Sequence, residues 1–357
     1  MKRIAFWVLL CSLFIVFSGC QKLNSDGTAP PQESQTQAPS ETAPTAGAQT
    51  GWVTTEGKTY YFLPDGTTLT GKVTVGDHTY CFDSTGMMLT GWQELEGAHF
   101  YFDDRGHMVT GWLELEGKRH YLTSSGAAAT GWLEVEGTTY YFLSQGKMAR
   151  GQVEIDGRNR FFTSTGKEVL VVNPWNAVPD GYDPDLVSVS SSISKSGTKV
   201  SAICHDALVQ MITDCNKECP EVYILSSYRS YDYQAGLFEN RIQRFQNQGY
   251  SRAEAEKLAA TVVARPGTSE HHTGLAVDII DTREWSLEES QADLPGQKWL
   301  MENCWKYGFI LRYPKGTTDE TGIIYEPWHY RYVGKELAKE LHDSGLTLEA
   351  YLAALTE

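Results

Sequence analysis

The sequence predicts an α+β domain preceded by an all-β hairpin-repeat solenoid. Three observations carry that prediction. Glycines and aromatic residues recur with a period of twenty from Gly51 to about Leu170. From Val171 to Glu357 the period stops, and helix-like and strand-like apolar patterns follow in mixed order. The 357 residues are also enough for two or three domains.

Charge and cysteine usage narrow the class. A formal net charge of -15 and a pI near 5.1 argue against a nucleic-acid partner, whose phosphates would be repelled. Seven cysteines are too few for a disulfide-built fold, and no C-x-x-C pair marks a structural zinc. Cys204, Cys215, Cys219 and Cys304 either form one or two bridges in an exported domain or pack as small buried apolar residues.

At the start, Lys2 and Arg3 precede an apolar run from Ile4 to Phe17, short for a membrane span but suited to a signal-peptide core. Phe17-Ser18-Gly19-Cys20 resembles the lipobox of bacterial lipoproteins, with Phe17 where that pattern usually has Leu. The resemblance implies a signal peptide over 1–20 and a lipid-bearing Cys20 at the membrane; ordinary secretion and an uncleaved anchor are the alternatives. Residues 21–50 are Pro, Gln, Ser, Thr, Ala and Gly with little to bury, which predicts a disordered tether. Such a tether gives the following domains reach from the membrane.

Six units open at Gly51, Gly71, Gly91, Gly111, Gly131 and Gly151, four of them with Gly-Trp at Trp52, Trp92, Trp112 and Trp132. Each unit carries a second glycine, from Gly57 to Gly157, followed by an aromatic strand such as Thr59-Tyr60-Tyr61-Phe62. Two short strands about a glycine turn make a β-hairpin. One hairpin cannot bury its aromatics alone, so the six are expected to stack.

This arrangement over 51–170 resembles the cell-wall-binding repeats of Gram-positive bacteria, the choline-binding and glucan-binding family. In that family aromatic side chains of adjacent hairpins cage a quaternary ammonium by cation–π attraction. Here the position where the aromatic strand usually opens with Trp holds Thr59, Thr79, His99, Arg119, Thr139 and Asn159, and Lys72 and Gln152 replace two opening tryptophans. The resemblance implies a cell-wall polymer as partner, choline or glycan, and an extracytoplasmic location.

The last part, 171–357, begins with the turn-rich Asn173-Pro174-Trp175-Asn176. Ser201 to Lys217 places Ile203, Ala207, Leu208, Met211, Ile212 and Cys215 at helical spacing. A strand over Glu221 to Ser227 and a helix over Asp232 to Gln248 come next. Ser251-Arg252-Ala253-Glu254 is a capping box that opens a third helix towards Ala264. Strands are expected at Leu275–Ile280, Phe309–Tyr313 and Trp328–Val333. Helices are expected from Gly296 to Tyr307 and from Lys335 to Ser344, each stopped by a glycine, Gly308 or Gly345.

Chemistry concentrates in Arg265 to Ile280, where Pro266 and Gly267 force a loop and an apolar run forms a buried strand. His271, His272 and, seven positions after the first, Asp278 are a natural start for a zinc site. Glu326-Pro327-Trp328-His329 sets a glutamate three residues ahead of a histidine. Pro327 excludes the helical H-E-x-x-H arrangement. Each spacing alone is within reach of chance.

Taken together and in order, Ser227-Tyr228-Arg229-Ser230, the Ser-x-His-x-x-Gly-x-Ala-x-Asp of Ser269 to Asp278, and Glu326-Pro327-Trp328-His329 resemble the VanY-type D-alanyl-D-alanine carboxypeptidases. These are zinc peptidases that trim peptidoglycan stem peptides. The resemblance implies an α+β zinc peptidase domain over 171–357 with one Zn2+ on His271, Asp278 and His329. It implies Glu326 as general base and Arg229 as the cation that steadies the oxyanion. It further implies that Arg229, Gln234 and Ser269 contact the substrate. The Ser-x-His spacing favours His271 over its neighbour His272. Relatives sharing these motifs act as L,D-carboxypeptidases on tetrapeptide stems, so that specificity is the alternative within the enzyme class. A non-catalytic wall-binding protein with a structural zinc is the alternative outside it.

Overall fold

Five of the six hairpins reverse on two residues that both adopt positive φ, as at Glu56-Gly57, Glu96-Gly97 and Glu116-Gly117. That is the geometry whose twist matches antiparallel strands, and glycine occupies its second place without steric cost. The computed structural model describes residues 50–219 and 221–356. The expected signal peptide, Cys20 and nearly all of the 21–50 tether lie outside the described residues. The chain divides into two units. One runs to Leu133 and takes in Tyr141–Met148; the other comprises Glu134–Tyr140 and everything from Ala149 on.

In the first unit alternate residues of the aromatic strands turn inward. Tyr60, Phe62, Tyr80, Phe82, Phe100 and Phe102 are buried. Consecutive hairpins are tied by backbone bonds, with the Met108 N–H donating to the Thr79 carbonyl at 2.7 Å and Ala128 to His99 at 2.8 Å. Trp52 lies 5.1 Å from Tyr61 on its own hairpin and 4.6 Å from Tyr80 on the next, centroid to centroid. Two aromatic faces are covered by cations of the chain itself: Lys72 Nζ is 3.9 Å from the centre of Phe100, and the Arg119 guanidinium 4.1 Å from Trp112.

The sixth hairpin, Gly151–Ile155 paired with Arg158–Phe162, groups with the second unit, as does Glu134–Tyr140 of the fifth. Its Phe161 joins Val171, Ile310, Leu337, Leu341 and Leu352 in one apolar cluster. Ser164 donates to Glu340 at 2.7 Å and Lys167 to Glu336 at 2.9 Å. A twenty-residue period defines a hairpin but does not say what covers its aromatic face, so a boundary at Leu170 was all the period could give.

Labels are given for the rest of the second unit. A short hairpin joins Leu186–Ser188 (β1) to Lys199–Ser201 (β2), too brief to carry a periodic signal. Helix Ala202–Glu218 (α1) leads to strand Val222–Ser226 (β3), then to helices Tyr231–Asn247 (α2) and Arg252–Ala260 (α3). The capping box at Ser251 and Glu254 is formed, but α3 ends four residues earlier than expected. Strand Ala276–Asp281 (β4) and helix Pro295–Asn303 (α4) follow; the expected helical stretch to Tyr307 tightens into a 3₁₀ turn before Gly308 at φ +86°. Strand Phe309–Leu311 (β5), the single turn Thr318–Thr321 (α5), strand His329–Tyr332 (β6) and helices Lys335–Ser344 (α6) and Leu348–Ala354 (α7) complete it.

Four strands form one antiparallel sheet in the order β3-β4-β6-β5. Its two faces differ because side chains alternate along a strand. Val277, Ile279 and Tyr330 enter a core with Leu208, Met211 and Ile212 of α1 and Leu300 of α4. Asp278, His329 and Arg331 alternate with them along β4 and β6 and so belong to the other face. The five described cysteines, Cys81, Cys204, Cys215, Cys219 and Cys304, are free thiols. Cys204, Cys215 and Cys304 are buried apolar residues, and burial pushes their pKa up to about 12. No helix among the described residues is long and apolar enough to cross a membrane.

Candidate active site

Asp278 and His329 are directly opposed in the β4–β6 register, which puts both side chains on one face of the sheet. The third member arrives from a 3₁₀ turn, Glu270–Thr273, that ends in Gly274 at φ +69°. A Cβ at Gly274 would lie 2.8 Å from the Ser201 nitrogen, and the Ser201 N–H donates to the Gly274 carbonyl at 2.8 Å. Only glycine allows this approach, and it pins the turn against β2. His271, Asp278 and His329 thereby converge, with one ligand atom of each within 4.8 Å of the others, all three buried.

The orientation of each ring can be read from its other nitrogen. His271 Nδ1 lies 2.7 Å from the Ser227 carbonyl, which can only accept, so Nδ1 carries the proton and Nε2 presents a lone pair. That Nε2 is 3.4 Å from Asp278 Oδ1. His329 Nδ1 is 3.4 Å from the same oxygen and 3.3 Å from Glu326 Oε2. His272 is not part of the centre. It sits 2.8 Å from the Arg229 carbonyl through Nδ1, accepts from the Gly267 N–H at 3.1 Å through Nε2, and stacks on Tyr231.

A cation fits this donor set. Asp278 Oδ1 is buried, flanked by two imidazole nitrogens, and has no hydrogen-bond partner. The second oxygen of Asp278 accepts from Arg229 Nη2. Burial opposes charge on Asp278, yet His271 and Arg229 outweigh it and hold its pKa well below the carboxylate range. Burial, reinforced by Arg229, pushes His271 down to about 4, so its imidazole is neutral. Burial also works against charge on His329, but Asp278, Glu270 and Glu326 raise it to about 10. Three carboxylates thus draw one positive charge into the centre, and a divalent ion held by His271, Asp278 and His329, ligand types suited to zinc, would supply it.

Glu326 stands beside the triad on a turn whose backbone is tied by its N–H to the Tyr313 carbonyl at 3.1 Å. As Pro327 requires, this segment is not helical. Burial raises the pKa of Glu326, partly offset by His329. Arg229 donates through Nε to Ser226 Oγ at 3.0 Å and through Nη1 to Gln234 Oε1 at 3.4 Å. Gln234 is buried, and its amide nitrogen donates to the Ala264 carbonyl at 2.8 Å. Both ends of that amide are engaged within the protein, so Gln234 sets Arg229 in place. Ser269 is buried at the head of the 3₁₀ turn.

These seven positions all fall inside residues 197–335, which match the family model for D-alanyl-D-alanine carboxypeptidase, VanY. The second unit thus contains a VanY-like domain. Choline-binding repeat models match residues 49–90, 89–130 and 129–175. Among curated relatives, the putative carboxypeptidase YodJ of Bacillus subtilis is 41% identical over 189 residues, covering 51% of this chain and 65% of that protein. The D-alanyl-D-alanine carboxypeptidase of Enterococcus faecalis is 35% identical over 184 residues, covering 52% and 65%. The chain therefore spans just under two thirds of the length of these relatives. A solved structure of the vancomycin-resistance D,D-pentapeptidase VanY with Zn(II) is 36% identical, covering 51% of this chain and 97% of that one, with a TM-score of 0.46.

Sequence reasoning about the VanY domain passed over Glu270, Arg312 and Arg331. All three are essentially inaccessible to solvent. Glu270 Oε1 accepts from Arg312 Nε and Arg331 Nη1, each at 2.8 Å. The two arginines overcome the burial that would otherwise neutralise the carboxyl, and hold its pKa far below the usual range. The only signal was the charge of Arg312 and Arg331 inside stretches expected as apolar strands; Glu270, in the 3₁₀ turn, gave none.

Proposed function

We propose that the VanY domain is a zinc carboxypeptidase that removes the C-terminal D-alanine from peptidoglycan stem peptides. The observation that carries this is the buried Glu326 carboxylate set 3.3 Å from one nitrogen of a three-residue metal cluster. Among the described residues the converging donor set has three members, and Glu326 lies beside it rather than in it. A structural zinc is more often closed by four protein ligands, so the count favours catalysis over a scaffolding role.

His271, Asp278 and His329 would hold the zinc, which when bound would supply Lewis acidity to the scissile carbonyl and to an attacking water. Glu326 takes the proton from that water and returns it to the departing amine as the C–N bond breaks, releasing D-alanine. Its raised pKa suits both roles, since the group must accept and then give up a proton near neutrality. Arg229 is anchored on Asp278, Ser226 and Gln234, so its guanidinium needs no rearrangement to stabilise charge developing on the carbonyl oxygen. Ser269, buried at the head of the turn, is assigned by its motif position to receive the peptide's terminal carboxylate.

The choline-binding repeats place the enzyme on the wall, through choline or a glycan. The Trp52, Tyr61 and Tyr80 cluster supports this, because Trp52 is still 44% exposed and offers a face to a ligand. Export and lipid attachment at Cys20 rest on the amino-terminal pattern and would hold the enzyme at the outer membrane surface. The test is incubation of the purified chain with pentapeptide and tetrapeptide stems, with and without a chelator. Metal-dependent release of D-alanine from the pentapeptide is expected. Cleavage of the tetrapeptide alone would mean L,D specificity, and inertness towards both would mean a binding protein.

A further inference from the structure

Glu270 spends only one of its oxygens on its arginines. Oε1 accepts from both guanidiniums, while Oε2 is buried with no hydrogen-bond partner. The nearest complementary atom is His329 Nε2, 3.6 Å away, which is buried and equally without a partner. Two orphaned atoms, one an acceptor and one able to carry a proton, therefore face each other on the side of the imidazole opposite Asp278.

Neutralising the buried arginines does not explain this. Arg312 is also held by Glu349, Nη1 to Oε2 at 2.9 Å and Nη2 to Oε1 at 2.5 Å. Arg331 donates to the Leu170 carbonyl at 2.5 Å and the Tyr332 carbonyl at 3.0 Å. Two guanidiniums and two carboxylates already balance, so Oε2 is not needed by the network. What the network does is fix the carboxylate rigidly, with four anchoring bonds behind it.

We propose that Glu270 is the positioning residue of His329: its Oε2 accepts the Nε2–H and so commits Nδ1 to the metal. This rests on the reading of His329 as a metal ligand. It gives the two imidazoles matching supports, since His271 is oriented by the Ser227 carbonyl through Nδ1 and presents Nε2. The two rings would then offer opposite nitrogens to one ion.

The test uses the full chain labelled with ¹⁵N-histidine and loaded with zinc. Long-range ¹H–¹⁵N correlation is expected to show His329 protonated at Nε2 and metal-bound at Nδ1. A His329 protonated at Nδ1 in zinc-loaded protein would overturn the inference alone, whereas failure to bind zinc would remove it together with the functional reading. Chelator competition adds a second readout. Glu270→Gln is expected to weaken zinc about tenfold to a hundredfold, and Glu349→Gln, which loosens the same arginine cage without facing His329, to change it less than about twofold. Equal losses in both variants would make Glu270 a structural carboxylate only. Should Glu270→Gln fail to fold, the spectrum of the unaltered protein still decides.

Discussion

Asp278 and Arg229 are joined through Asp278 Oδ2, so the carboxylate that offers Oδ1 to the centre is gripped from behind by the guanidinium nearest it. The same arginine reaches Gln234 and Ser226, which means that ligand geometry and the cationic group of the site are set by one side chain. Lysine keeps the charge but cannot reproduce a planar fork. Arg229→Lys is therefore expected to lower kcat/KM by about a hundredfold to a thousandfold and to weaken zinc measurably in the same protein. Steady-state kinetics and chelator competition check both; unchanged values would separate Arg229 from the site.

Gly274 is where the His271 turn is locked to β2. Alanine there would be strained at φ +69° and would push a Cβ to within 2.9 Å of Leu186 Cδ2 as well as against Ser201. Gly274→Ala should cost about 1–3 kcal/mol of stability and weaken zinc by displacing His271. Thermal melts with and without zinc measure the two effects.

Far from the site, Asp214 on α1 accepts from Lys217 at 2.7 Å, Gln210 at 2.8 Å and Tyr307 at 2.9 Å. The bond from Lys217, followed by those from Gln210 and Tyr307, lowers its pKa to about 2 from 3.8. A depressed folded-state pKa means that this stabilisation is complete above the unfolded value and is lost as pH falls through the folded one. Asp214→Asn should therefore flatten the fall in melting temperature between about pH 4 and pH 2, the window those two values set. An unchanged acid limb would contradict this.

Much of the fold was legible because its signals are local. Helix α6 runs from Lys335 to Ser344 and stops at Gly345, as apolar spacing and a terminal glycine foretold. The capping box of α3 and the positive-φ hairpin turns are likewise written in neighbouring residues. His271, Asp278 and His329 were recognisable through their motifs; the sheet register opposes Asp278 and His329, and the 3₁₀ turn brings His271 to them. Glu270 shows the limit. Its partners are 42 and 61 residues away, and its unspent oxygen matters only because β6 turns His329 towards it. The placement of the sixth hairpin was hidden for the same reason, since Phe161 finds its cover on α6 and α7.

The most direct test of the account is Glu326→Gln, which preserves shape while removing the group assigned to move the proton. Metal analysis should still find one zinc per chain, and release of D-alanine from a pentapeptide stem should fall by about a hundredfold to ten-thousandfold. Near-normal turnover by the zinc-loaded variant would contradict the account.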